Sequence, residues 1–137
     1  MITGGKIISV EAKREKDDPI TGLSINIGLD DIKVTGENIE IKYTYSVNYA
    51  EGVGSLKING ILYAKETTAK SKDISKKWSE TKRLPDDFAE IVLNTINFTC
   101  GTNGTLVVRP INLSPPMIPP KIEIAKGGAP GAGKGAA

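Results

Sequence analysis

Residues 39–49 place Ile39, Ile41, Tyr43, Tyr45, Val47 and Tyr49 at strictly alternating positions, with Glu40, Lys42, Thr44, Ser46 and Asn48 between them. Successive side chains of a strand point to opposite faces, so a period of two sustained over this length demands an extended chain. One face of that strand is wholly apolar or aromatic, and the fold has to cover it. The flanking sequence supplies partners. In residues 6–13, Ile8, Val10 and Ala12 alternate with Ser9, Glu11 and Lys13 before a charged run leads into Pro19. From Leu23 the apolar residues fall on odd numbers (Leu23, Ile25, Ile27, Leu29), and after Asp30-Asp31 on even ones (Ile32, Val34). A phase slip of one residue predicts a bulge or bend at Asp30-Asp31. Glu51-Gly52-Val53-Gly54 reads as a turn, and residues 56–64 return as a fourth strand with Ile58, Ile61, Leu62 and Tyr63. Four strands with short links predict an antiparallel meander.

The pattern then changes. Residues 65–83 are rich in lysine, and their large apolar residues, Ile74 and Trp78, stand four apart, the spacing of a short amphipathic helix. Pro85, with Asp87 and Glu90 as a capping box, opens a stronger helix on Phe88, Ile91, Val92, Thr95, Ile96 and Thr99. Gly101 and Asn103-Gly104 read as its stop, and residues 105–108 as β-favouring. The order predicts an α+β fold, a four-stranded antiparallel meander sheet with one main helix packed on one face. Pro110, Pro115, Pro116, Pro119 and Pro120 exclude regular structure beyond that point, so the apolar residues 111–118 are expected to form an extended strap. Residues 1–120 are taken as one domain and residues 121–137 as a Gly/Ala-rich flexible tail.

Composition narrows the chemistry. The chain has no histidine and one cysteine, Cys100, which removes the usual general base and any intrachain disulfide or multi-thiolate metal site. Gly128-Ala129-Pro130-Gly131-Ala132-Gly133-Lys134 has the spacing of a phosphate-binding loop, but Gly135 stands where a hydroxyl should hold magnesium, and no helix follows. The acidic pairs Asp17-Asp18, Asp30-Asp31 and Asp86-Asp87 read as turn, bulge and cap residues. No cofactor is therefore expected. A net charge of +2 is mild for a nucleic-acid binder, and the lysine-rich residues 65–83 read as a solvated connection. No apolar run approaches membrane-spanning length and the first residues are not a signal peptide, so a soluble cytoplasmic protein is expected.

Apolar surface remains as the functional lead. One helix covers about 10 Å of sheet, less than four strands at about 4.8 Å spacing, so apolar area is left over. Such area is covered by another subunit or marks a binding surface. The tyrosine face of Tyr43, Tyr45 and Tyr49, with Trp78, Met117 and Ile118 at its edge, supplies the candidate contacts.

The order of elements carries a resemblance. A helix entered through Leu84-Pro85-Asp86-Asp87-Phe88-Ala89 and left through Asn103-Gly104-Thr105-Leu106, then Ile111-Asn112-Leu113-Ser114-Pro115, resembles the SecB family of export chaperones over residues 84–116. The resemblance implies a dimer of dimers that holds unfolded or partly folded proteins in apolar grooves without nucleotide. On it, Tyr43, Tyr45, Tyr49, Trp78, Met117 and Ile118 become apolar platforms for a client peptide. The slightly basic charge argues against the basic-tailed translocation motor as a partner. Two other classes remain open: a structural or adaptor subunit whose apolar face is buried in a partner, and an enzyme working by carboxylates alone.

Overall fold

The computed structural model describes residues 1–116; Met117, Ile118 and the glycine-rich tail lie outside them. Four strands, β1 (Ile2–Arg14), β2 (Leu23–Thr35), β3 (Asn38–Tyr49) and β4 (Gly54–Lys65), are followed by two helices, α1 (Thr68–Thr81) and α2 (Asp86–Val108). The sheet is antiparallel in the order β1-β4-β3-β2, so β1 and β2 are its edges. This corrects the expected four-strand meander: only β2-β3-β4 is one, and residues 15–22 carry the chain from β1 past β4 and β3 to the far edge, because alternating apolar residues mark a strand without marking its partner.

The alternation on β3 is expressed directly. Ile39, Ile41, Tyr43, Tyr45, Val47 and Tyr49 are all buried and face the helices, beside Leu56, Ile58, Leu62 and Ala64 of β4. Burying each such aliphatic side chain contributes roughly 1.5–3 kcal/mol, which commits the register of the central pair. The predicted slip is present as a register shift between Leu29 and Asp31, and it returns both Ile25 and Ile32 to the buried face. A second shift, between Ile7 and Ser9, leaves Ile8 exposed on β1.

These two bulges lie at the ends of one polar ladder on the outer face. Thr44 Oγ1 lies 2.6 Å from Asp30 Oδ2 and 2.9 Å from the side-chain amide of Asn59, which lies 3.0 Å from Ser9 Oγ. Asn59 donates its NH₂ to the Ser9 hydroxyl and turns its oxygen toward Thr44, whose single proton is shared between that oxygen and the Asp30 carboxyl, so the ladder links all four strands.

Where the sequence predicts one main helix, two share the buried face. α1 lays Ser71, Ile74 and Trp78 into the core, on the side of β2. Its Thr67 cap accepts from the Lys70 N–H, and Lys82 closes it in the left-handed region at φ 55° with its ammonium 5.5 Å from the Trp78 ring centre. This second helix is what covers the width one helix cannot.

α2 overturns the predicted stop. It runs through Gly101 and Gly104 to Val108, so residues 105–108 are helical. Both glycines are buried, and a Cβ on Gly104 would lie 2.7 Å from Leu56 Cδ2 and 3.7 Å from Ile58 Cδ1. Gly104 lets the helix settle onto β4, and this packing outweighs the propensity that makes glycine a terminator. At the start of α2, Pro85 takes the cap position in place of Asp87, whose carboxylate instead accepts from the Phe88 N–H and pairs with Lys70 at 3.0 Å. A short 3-10 turn, Arg109–Ile111, is closed by Asn112 in the left-handed region at φ 57°, with the Leu113 N–H bonded to the Val108 carbonyl, and leads into a strap without regular secondary structure that ends the described residues at 116.

Candidate functional site

The sequence-predicted contacts are placed beneath the helices and not on an open platform. Tyr43, Tyr45 and Tyr49 are 2%, 0% and 2% exposed and Trp78 is 8% exposed. The apolar face of β3 is thus the core of this chain, and the surplus apolar surface lies elsewhere.

It lies in two places. The first is a groove of about 400 Å³ between edge strand β1 and α2, lined by Ile2, Gly4, Gly5, Lys6, Ile7, Leu62, Thr95 and Thr99, with Tyr43 in its floor. Gly4 leaves the β1 backbone bare there, since a Cβ on it would meet nothing within 4 Å, whereas a Cβ on Gly5 would lie 2.9 Å from Leu62 Cδ2, so that glycine serves the sheet's own packing. Glycine inside a strand marks places where another backbone can approach closely, and β1 keeps one edge of its ladder unpaired within the chain. Val10, on the same face, is 40% exposed beyond the groove.

The second is the outer side of α2. Residues 91–108 carry no charged side chain, and Ile91, Phe98 and Leu106 are exposed along this side, Phe98 at 64% and Leu106 at 65%. These positions are seven and eight apart, so they form one stripe. Thr95, Thr99, Thr102 and Asn103 fill it in; Thr95, Thr102 and Asn103 bond back to helix carbonyls four residues earlier. An uncharged, largely apolar stripe on a surface helix is the composition of a contact surface. No helix of the described residues is long and apolar enough to cross a membrane.

Under α2, the Cys100 thiol donates to the Tyr43 hydroxyl at 3.8 Å. Burial pushes the Cys100 thiol up from 9.0 to about 11, and pushes Tyr49 up to about 12 and Tyr43 and Tyr45 higher still. The Cys100 thiol is held protonated at neutral pH, unlike a catalytic nucleophile. These groups are neutral in the fold and ionise more readily once unfolded, so the stability they carry is complete below their ordinary values. It is lost as pH rises past about 9 for the thiol and about 10 for the phenols. Thermal melts between pH 8 and 11 should show a Tm that falls from about pH 9 and more steeply beyond about 10. A flat Tm across that range would contradict the buried cluster.

No protein-family model matches the chain, and no curated protein matches it in sequence. Its fold is nevertheless SecB-like. The SecB-like chaperone Rv1957 of Mycobacterium tuberculosis, solved in complex with a ChAD peptide from the HigA1 antitoxin, superposes with a TM-score of 0.57 at 7% identity. The match covers 91% of this chain and 86% of that one. The α+β architecture read from the sequence is therefore borne out, as is the resemblance at the level of fold.

Proposed function

We propose that this chain is an ATP-independent holdase that binds extended segments of non-native proteins, acting in the cytoplasm. The observation that carries the reading is the groove between β1 and α2, where apolar walls stand beside bare backbone at a free strand edge. Recognition of an unfolded chain requires burial of varied apolar side chains and pairing with backbone amides, both tolerant of sequence. The groove offers both and calls for no catalytic group. The peptide complex of the M. tuberculosis chaperone, on the same fold, supports polypeptide as the ligand class.

The uncharged stripe of α2 favours self-association, so we assign Ile91, Phe98 and Leu106 to a contact between copies in a dimer or tetramer. That same stripe is the observation favouring the second reading, a structural or adaptor subunit. If every apolar surface were sealed in an assembly, the purified oligomer would not bind a fluorescent apolar dye; a holdase with an open groove binds it.

The direct test is aggregation of a chemically denatured client without nucleotide. Folded protein at near-stoichiometric ratio should suppress light scattering, and Ile7→Asp in the groove wall should weaken suppression about tenfold or more while leaving the far-UV circular dichroism unchanged. Failure of the folded wild type to suppress, or full activity of Ile7→Asp, would refute the reading.

A further inference from the structure

The strap after α2 is seated in the way a peptide ligand would be. Arg14 at the end of β1 donates to the Asn112 carbonyl at 2.6 Å and the Ile111 carbonyl at 3.5 Å, and to the Asp18 carbonyl at 3.0 Å. Tyr49 donates its hydroxyl to the Ser114 carbonyl. Leu113 is buried at the notch left by Gly54, its Cδ atoms 3.0 Å from where a Cβ would stand, and Pro116 lies beside Gly104 of α2. Among the described residues, the sheet's polar contacts with the strap all go to backbone carbonyls, and its side chains enter through apolar shape alone. A seat built this way reads an extended backbone and one branched apolar residue, not a particular sequence.

We propose that residues 112–116 are an internal occupant of a second polypeptide site, floored by Tyr49 and the Gly54 notch and clamped by Arg14, and that the strap yields to an extended apolar segment of a client. The proposal rests on the holdase reading and supplies its regulation: the strap keeps the Tyr49 end of β3 and the Gly54 notch covered until a client competes for them.

The test uses the full chain. Tyr49→Phe keeps the ring and removes one carbonyl contact; the double variant Arg14→Gln, Tyr49→Phe removes the clamp as well. Anisotropy of a labelled, unstructured leucine-rich peptide should show the double variant binding about tenfold tighter than wild type. Hydrogen exchange at the Leu113 and Ser114 amides of the wild type should speed up when that peptide is added. Equal or weaker binding by the double variant, or unchanged exchange with the peptide bound, would overturn the strap proposal and leave the holdase reading standing. Dimers formed by exchange of straps, with unchanged peptide affinity, would overturn it too, since the occupant would then be a second copy. If the wild type binds no client the holdase reading falls, and the strap is judged by a synthetic peptide of residues 110–116. That peptide should bind the double variant and not the wild type, and equal binding to both refutes the seat. Should the double variant not fold, Tyr49→Phe and the wild-type exchange decide.

Discussion

Replacing Gly60 by alanine is expected to cost about 3 kcal/mol of stability, enough to lower the Tm by more than 10 °C in a domain of this size. Gly60 pairs with Tyr43 on one side and Ile7 on the other, on the face beneath the helices. A Cβ there falls on the Tyr43 hydroxyl, 2.5 Å from its Cζ and 2.8 Å from the Lys6 carbonyl. The absent side chain of Gly60 is thus the space into which the Tyr43 phenol is laid. That phenol is 2% exposed, donates the floor of the groove and accepts from Cys100, so it has no free direction in which to move. The carbonyl of Lys6 is backbone and cannot swing aside, which makes the clash costlier than one against a flexible side-chain tip. Two variants isolate the cause. Tyr43→Leu in the Gly60→Ala background should recover part of the loss, because the smaller side chain vacates the space. Gly4→Ala, with nothing within 4 Å of its Cβ, should change Tm by no more than a few degrees. Thermal and guanidinium melts of the four proteins settle the point, and a Gly60→Ala protein as stable as wild type would show that the phenol is not held there.

The contrast between Gly60 and Gly104 on one side and Gly36 on the other explains how far the fold was legible. Strand existence and the Asp30-Asp31 bulge follow from the period of apolar residues, a local property carried by every second side chain, whereas the pairing of β1 with β4 in place of β2 does not. Glycine carries no such label. Gly36, at φ 64°, serves the turn that local rules assign to glycine, whereas Gly101 and Gly104 sit buried inside a continuous helix, Gly104 because β4 presses against it. Only the tertiary partner distinguishes the two uses, so local sequence marks the start of α2 but not its end. The site shows the same division. A row of three tyrosines on one face signals apolar area, but whether it is floor or surface depends on how much sheet the helices cover, and α1 supplies the missing width over β2. The groove residues Ile2, Gly5, Thr95 and Thr99 went unnoticed because no one segment contains them. The usable signal was the pair Gly4-Gly5 inside an otherwise strand-forming run.

Phe98→Glu is expected to dissociate the assembly without unfolding the chain. Phe98 is 64% exposed in the isolated chain and lies mid-stripe between Ile91 and Leu106, with no charged side chain along residues 91–108 to pair with a new carboxylate. In a monomer the substitution exchanges one solvated side chain for another, and glutamate is a good helix former, so the Tm should hardly move. In a twofold contact the same residue meets its own copy or the apolar stripe of its partner, and each unpaired buried carboxylate costs about 3–5 kcal/mol. That weakens association by more than a hundredfold. Sedimentation velocity over a range of concentration should therefore show wild type as a dimer or larger and Phe98→Glu as a monomer, with matching far-UV spectra. Lys72→Glu, on the exposed side of α1, is the control for charge alone and should leave the assembly intact. The outcome also separates the two surfaces. If client suppression survives in the Phe98→Glu monomer, the groove of a single chain suffices for holding. If it is lost while the monomer stays folded, the client path runs across copies, and the stripe of α2 serves holding by setting two grooves in line. A Phe98→Glu protein that remains fully assembled would remove the stripe from the subunit contact and leave it as open apolar surface for clients.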